Sequence, residues 1–371
     1  SIKSVSTLKF TIFYDNVKPC YLSHARFFRK LKHQNSLFKD KTILITGGTG
    51  SLGQALTKRL LKMEPQAIRI FSRNESKQIE MESDFDDTRL RFFVGDVRDS
   101  ERLFYATEDV DIIFHAAALK HVPKIEYNPF ESIKTNVIGS QNVIDNSLRQ
   151  NVEKVVCVGT DKAVSPLNTY GATKLLMEKL FVSANNYVNP EKHRTKFVAV
   201  RYGNVLGSSG SVIPKFIDLI KKNKPLTITD PMMTRFTITM DEALEFIFAA
   251  TIIGKGSEIF IPKLKSYEMP ILIQVLSELC GKTEQEISGI RPGEKLHETL
   301  INHDEINYAW EINNMYMLAN PHYKLFNTKN ILENYSGIKK IEGINSYSSD
   351  TVEKITKEEL KEKIKSSGLL D

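Results

Sequence analysis

"KTILITGGTGSLGQALTKRLLK", residues 41 to 62, passes from an apolar strand-like run into a glycine-rich turn and then an apolar-periodic helix. Gly47, Gly50 and Gly53 fall at three-residue spacing. Glycine there lets the backbone turn tightly, approach a pyrophosphate and pack the helix close to the strand, while the helix N-terminus offers unpaired N–H groups to the anion. A glycine triplet alone is weak evidence, but strand, turn and helix in this order predict a dinucleotide site. Thr49, Ser51 and Leu52 line the same turn.

Outward from this unit the chain alternates short apolar strands with amphipathic helices. The strands are expected at 41–46, 67–72, 90–95, 111–116, 154–159 and 197–203, with helices such as "SLGQALTKRLLK" and "ESIKTNVIGSQNVIDNSLRQ" between them. Such alternation predicts an α/β fold, a doubly wound parallel Rossmann sheet covered on both faces. Beyond residue 203 the alternation loosens into Gly/Pro-rich loops, helices near 241–253 and 270–280, a strand "EIFIP" and the loop "GIRPGEKLHE". The expected division is a basic extension over 1–38, a dinucleotide-binding domain over 39–203, and a smaller, mainly substrate-binding C-terminal lobe over 204–371 interleaved with it. The tail "TKEELKEKIKSS" reads as a solvated surface helix.

The second strand ends "FSRNESK" without the carboxylate that would hold the ribose 2′-hydroxyl of NAD. Arg73 stands there, with Ser72 and Lys77 beside it, a set that suits the 2′-phosphate of NADP; the alternative for Arg73 is a plain surface charge. Asp96, after the third strand, is placed to reach the adenine edge.

"GTDKAVSPLNTYGATK", residues 159–174, carries the chemistry. Tyr170 and Lys174 are one helical turn apart and share a face. The Lys174 ammonium, helped by a cationic nicotinamide, is expected to lower the Tyr170 phenol so that it takes a proton from a substrate hydroxyl as hydride leaves the same carbon. Thr160 hydrogen-bonds the same oxygen. A ketone formed in this way acidifies the adjacent C–H, and a neighbouring base would then drive loss of water from the next carbon. Lys162 is that candidate base, its pKa expected to be pushed down toward neutrality by Lys174 and the nicotinamide. Asp161 is the candidate acid, provided burial outweighs the cations that favour its ionised form.

The remaining composition sets limits. A 371-residue chain that is 41% hydrophobic and 26% charged reads as a globular protein with a sizeable core. No apolar run is long enough for a transmembrane helix and no secretory signal is evident, so the folded body is expected in the cytoplasm. Cys20, Cys157 and Cys280 are scattered, as are the histidines, so neither a disulfide framework nor a metal site is expected; Cys157 reads as a small buried hydrophobe. The net charge of +6 belongs to residues 1–40, which hold eight Lys/Arg against Asp15 and Asp40, leaving 43 charges of each sign beyond. A nucleic-acid footprint on the body is therefore disfavoured.

The motifs "TILITGGTGSLG", "FFVGDVRD", "HAAALKHVPKIEYNPFESIKTN", "TDKAVSPLNTYGATK", "LFVSANNY", "RYGNVLGSSGSVIP", "MTRF" and "GIRPGEKLHETLI" occur in order from about Ser36 to Ile364. Together they resemble the extended short-chain dehydrogenase/reductase superfamily, and most closely the UDP-N-acetylglucosamine 4,6-dehydratase (inverting) family of pseudaminic acid biosynthesis. The resemblance implies an NADP-dependent hydro-lyase that converts UDP-N-acetylglucosamine to UDP-2-acetamido-2,6-dideoxy-β-L-arabino-hex-4-ulose, with the cofactor recycled. It assigns Tyr170 as base at the C4 hydroxyl, Lys162 as base at C5 and Asp161 as acid for the C6 hydroxyl, with C5 inverted on reprotonation. Retaining dTDP-glucose dehydratases carry Asp-Glu at this pair, and sugar 4-epimerases keep small residues.

For the cofactor the resemblance adds Val97, Ala116, Ala117, Ala118, Lys120 and Asn136, the last supporting the Lys174 proton network or serving as a core hydrogen bonder. For the sugar nucleotide it implies Lys120, Asn204, Val212, Lys215, Thr229, Arg235, Arg291 and Glu294; either arginine suits a diphosphate or a structural ion pair. A homo-oligomer, hexameric in the family, is implied. The sequence departs from the family in two places. The residues before Ser36 are extra, and their basic and apolar clusters "LKFTIFY" and "ARFFRKL" read either as a membrane-surface or targeting segment making peripheral contact, or as a disordered leader. "YSSDT" at 347–351 ends in Thr where relatives usually have Asn, which bears on an inter-subunit contact by the tail. Pseudaminic acid formation with flagellin glycosylation and capsular L-sugar routes both begin with this reaction type. The competing activities are a UDP-sugar 4-epimerase and a non-catalytic NADP-sensing scaffold.

Overall fold

The computed structural model describes residues 37–189, 191–208, 210–320, 322 and 328–370. The basic extension expected over 1–38 therefore lies, as far as Ser36, outside the described residues. From Leu37 to Asp371 the chain forms one compact unit.

Six parallel strands build the first half: β1 (Thr42–Thr46), β2 (Ala67–Ser72), β3 (Leu90–Val94), β4 (Ile112–His115), β5 (Lys154–Val158) and β6 (Lys196–Val200). They lie in the order β3-β2-β1-β4-β5-β6, with Ile43 of β1 in register with Ile68 of β2 on one side and Ile112 of β4 on the other. β1 and β5 are buried along their whole length because helices cover both faces, which is why they read as unbroken apolar runs rather than alternating ones. The crossover helices on the first side are α1 (Ser51–Leu60) and α2 (Glu75–Phe85); α3 (Ser100–Thr107), α4 (Gly139–Arg149) and α5 (Thr169–Ala184) follow. Side-chain caps at Asn74, Asp99 and Asn168 fix the starts of α2, α3 and α5, whereas α1 opens at Gly50 with none. The strand order reverses between β1 and β4, and a ligand crevice forms at such a reversal, beyond the carboxyl ends of the strands.

The single long helix expected over 131–150 is broken into Pro129–Ser132, a π-helical stretch Ile133–Ile138 and α4. Asn136 sits in the π-helical stretch, where the widened turn directs its amide at the loop after β4; helical periodicity alone carries no sign of this.

Later residues extend the same sheet. After β7 (Asn204–Val205), β8 (Leu226–Ile228) and β9 (Thr234–Ile238), strand β10 (Glu258–Pro262) runs parallel to β6. With β11 (Ser266–Glu268), β12 (Gln285–Ile287) and β13 (Thr299–Ile301) intervening, β14 (Ala309–Ile312), β15 (Met315–Ala319) and β16 (Lys339–Lys340) complete ten strands in the order β16-β14-β15-β10-β6-β5-β4-β1-β2-β3. The remaining elements form a lobe with its own apolar cluster: α6 (Val212–Lys221), α8 (Met269–Cys280) and a C-terminal helix α9 (Lys357–Ser366), with α7 (Met240–Ile253) packed on the sheet side. Leu226 and Leu272 are fully buried there.

The tail helix departs from its expected solvated character. Leu360 and Ile364, one turn apart, are fully buried against α8, and Lys357 and Lys361 pair with Glu278 at 2.9 and 2.7 Å. Its few apolar residues lie on one stripe, so a mostly charged helix still docks. Among the described residues no helix is long and apolar enough to cross a membrane.

Candidate active site

Gly47 leaves β1 with φ +70°, and a Cβ there would stand 2.9 Å from the backbone of Ala117. The turn thus lies directly against Ala116, Ala117 and Ala118 after β4, where Ala116 and Ala117 donate to the Thr46 carbonyl and hydroxyl. Thr49 is buried beneath it, and the uncapped first turn of α1, with Gly50, Ser51, Leu52 and Gly53, faces an incoming anion with its own amides. At the tip of β2 Ser72 receives Gln78 at 2.9 Å, while Arg73 stays half-exposed, 3.8 Å from Asp96. Asp96 is itself held by Arg98 at 2.7 Å, which with Arg73 keeps its carboxyl below the usual range despite partial burial. Lys77 is exposed one helical turn on; Val97 is buried.

β5 delivers Thr160, and α5 delivers Tyr170 and Lys174. Lys174 is buried and donates to the Val158 carbonyl at 2.7 Å; burial lowers its ammonium to about 8. Tyr170 interacts with the Thr160 hydroxyl, but burial pushes its phenol up to about 12, with Lys162 the main opposing influence. The expectation that Lys174 lowers this phenol is therefore not met by the chain's own groups, because desolvation of the phenolate exceeds the pull of the cations around it. Asn136 ties together the Leu119 backbone, Ser132 and Thr173, the core hydrogen-bonding alternative, at 2.8 to 3.2 Å.

A tight 3₁₀ turn, Asp161–Ala163, joins β5 to α5 and turns the Lys162 side chain into this crevice. The Lys162 amine lies 2.9 Å from Asp161 Oδ1, 3.3 Å from Asn204 Oδ1 and 3.3 Å from Glu298 Oε1. Burial alone would lower its pKa, but the carboxylates of Asp161 and Glu298 outweigh burial and hold it above the ordinary lysine value. This corrects the expected shift toward neutrality: the groups nearest to Lys162 are anions, not Lys174. Asp161 is 1% exposed, and burial raises its carboxyl against the pull of Lys162, so desolvation prevails as a proton donor requires. Its Oδ2 is buried without a partner among the described residues.

On the opposite wall Arg235 gives its Nη groups to the carbonyls of Thr234, Lys295 and Leu296, and its Nε lies 3.8 Å from Glu298. It is thus largely committed within the protein. Arg291 is half-exposed, 3.7 Å from Glu294, whose Oε2 is buried without a hydrogen-bond partner among the described residues. Asn168 bridges from the cap of α5 to the Gly293 carbonyl at 2.8 Å and so fastens the "GIRPGEKLHE" loop to α5. Val212 and the exposed Lys215 lie in the first turns of α6, Thr229 just beyond β8, and Lys120 on the exposed loop after β4.

Two residues of this constellation escaped the sequence. Glu298 lies within a quoted motif, yet no spacing relates it to Lys162. Tyr267, paired with Arg235 across β9 and β11, is 1% exposed and hydrogen-bonded to Asn204. An acidic residue just before a buried strand was the one available signal for Glu298.

Residues 43–320 match the polysaccharide biosynthesis protein family. The chain belongs to that family. It is 47% identical over 319 residues to the UDP-N-acetylglucosamine 4,6-dehydratase (inverting) of Campylobacter jejuni subsp. jejuni serotype O:23/36, covering 85% of this chain and 94% of that one. It is also 40% identical over 331 residues to the UDP-glucose 4-epimerase of Rickettsia felis, covering 88% and 96%. Among solved structures, Pen from Bacillus thuringiensis superposes with a TM-score of 0.81 at 40% identity over 90% of this chain and 99% of that one. The family read from the motifs and the Rossmann-type fold are both borne out.

Proposed function

We propose that the protein is a UDP-N-acetylglucosamine 4,6-dehydratase of the inverting type that uses a nicotinamide dinucleotide, with residues 39–203 binding mainly the dinucleotide and 204–371 mainly the sugar nucleotide. The observation that carries this reading is the pair formed by the buried Asp161 carboxylate and the part-buried Lys162 amine at 2.9 Å beside Tyr170. An oxidoreductase that released a ketone would need neither member. Arg73 at the tip of β2, without a carboxylate in that place, supports NADP over NAD.

When bound, the dinucleotide supplies a hydride acceptor at C4 and later a hydride donor at C6, and its cationic ring further favours the Tyr170 phenolate. Tyr170, oriented by Thr160, takes the C4 hydroxyl proton. The one proton that Asp161 and Lys162 share shifts along their hydrogen bond onto the carboxyl. The resulting free amine removes the C5 proton, and Asp161 returns its own to the departing C6 hydroxyl as water. C5 then takes a proton from solvent as C6 receives the hydride, and Tyr170 gives the C4 proton up to solvent, so each cycle ends with the phenolate and the ammonium–carboxylate pair restored. Glu178, fully buried, is paired with Arg201 and plays no part in this chemistry. The exposed Arg291 is the better placed arginine for the substrate diphosphate, with Arg235 holding the loop.

A 4-epimerase, the activity named for the Rickettsia relative, would share the Tyr170 step but leave the 6-hydroxyl in place. Incubation with UDP-N-acetylglucosamine in deuterated water separates the two by proton NMR. The expected product has a 4-ketone, no 6-hydroxyl and solvent deuterium at C5. Lys162→Ala should abolish it while dinucleotide affinity stays within about twofold; a 4-epimer carrying an intact 6-hydroxyl would overturn the dehydratase reading.

A further inference from the structure

The three acceptors around Lys162 match the three N–H donors of an ammonium, so in this structure its charge and direction are both fixed. Two of those acceptors can take a proton, and they differ. Asp161 is raised by burial. Burial works in the same sense on Glu298, which is 3% exposed, but Lys162, Arg235 and Lys295 outweigh it and keep Glu298 below the usual range. Tyr170 and Tyr267 also face the group, as neutral phenols with raised pKa values. Glu298 Oε2 is buried without a partner among the described residues.

We propose that Glu298 is a positioning residue for the elimination step: it holds Lys162 by one N–H while the proton passes to Asp161, and is the pivot about which the freed amine turns its lone pair from Asp161 toward the sugar. This rests on the dehydratase reading and adds a residue to it. The backbone around Glu298 suits the role. Its amide bonds the Ser349 hydroxyl at 2.8 Å, and its carbonyl receives the Ser349 amide at 2.8 Å and the Ser348 hydroxyl at 3.2 Å. Ser349 is locked in turn to Thr234 Oγ1 at 2.7 Å. Ser348 and Ser349 of the "YSSDT" segment thereby fix the backbone from which the Glu298 carboxylate extends.

The test is the pH profile of kcat for elimination in the dinucleotide-loaded enzyme, for wild type, Glu298→Gln and Glu298→Asp, with transient reduction of the cofactor followed alongside. Deprotonation of the Lys162–Asp161 pair sets the alkaline limb, and a carboxylate at hydrogen-bond distance raises that limb. Removing the Glu298 charge should move it to lower pH by about one unit or more. Cofactor reduction by substrate, which does not use Lys162, should persist. Glu298→Asp keeps the charge on a shorter arm; its alkaline limb should stay in place while kcat falls about tenfold or more with KM within about twofold. An unshifted limb in Glu298→Gln, or an unchanged kcat in Glu298→Asp should that be the variant that folds, overturns the assignment. Failure of the dehydratase reading would show separately, as wild-type enzyme that forms no 6-deoxy product.

Discussion

Gly171 passes so close to Lys162 that a Cβ on it would lie 2.3 Å from the Lys162 carbonyl oxygen and 2.9 Å from Pro166. The first turn of α5, which carries Tyr170, and the 3₁₀ turn that carries the Asp161–Lys162 pair are therefore in direct backbone contact. One methyl group would separate the two halves of the chemistry.

Gly171→Ala should accordingly cost about 1–3 kcal/mol in urea denaturation, because backbone rather than a flexible side-chain end must give way. Dehydration should fall by at least about tenfold, as ~1 Å of misplacement is enough for such a loss. Unaltered turnover in this variant would mean that the two turns move independently.

Lys174 offers a pH test. Its pKa falls from an ordinary 10.5 when unfolded to about 8 when folded. The unfolded chain thus binds more protons between those values, and stability rises with pH across that window, with the full penalty present below it. At neutral pH Lys174→Met should therefore stabilise the dinucleotide-free protein, by about 1–2 kcal/mol once the lost bond to the Val158 carbonyl is deducted, while abolishing activity. Denaturation midpoints of the two proteins, measured from pH 7 to 10, should converge as pH rises. A gap that does not depend on pH would contradict the assigned cause.

Arg73 offers a test of which dinucleotide the proposed site prefers. Arg73→Ala should weaken NADP binding by about tenfold or more and leave NAD within about twofold, because a guanidinium–phosphate contact serves only the former. Equal effects on both, measured by fluorescence titration, would reduce Arg73 to a surface charge.

A buried ion cluster fastens α5 to the end of β6. Arg201, fully buried, pairs with Glu178 and lies 2.8 Å from Glu305, and its Nη1 donates to the Leu300 carbonyl at 2.8 Å. Arg201→Met strands the buried Glu178 carboxylate and should lower stability by about 3–5 kcal/mol. Calorimetry showing a loss below ~1 kcal/mol would mean that the cluster does not hold α5 to β6.

Much of the fold was legible in the chain. β1, the glycine turn and α1 could be read because backbone demands at a phosphate-binding turn are local, and central strands such as β1 and β5 because burial on both faces leaves unbroken apolar runs. Tyr170 and Lys174 could be placed on one face because helical period is a local property too. The short, half-polar strands β14 and β16 left no such trace, and neither did the π-helical stretch at Asn136.

The sign of the Lys162 shift was beyond the sequence altogether. Spacing showed Lys174 nearby in the chain and suggested a depressed amine. Folding instead brought Glu298, from far along the chain, to 3.3 Å and kept the amine charged. Periodicity reports which residues share a face of one element, whereas a pKa answers to whatever charge lies within a few ångströms in space. The chain alone thus determined the parallel sheet, the dinucleotide turn and the Tyr170–Lys174 pair; only tertiary packing decided which carboxylates surround Lys162, because electrostatic energy depends on through-space distance and local dielectric, and neither is written in linear order.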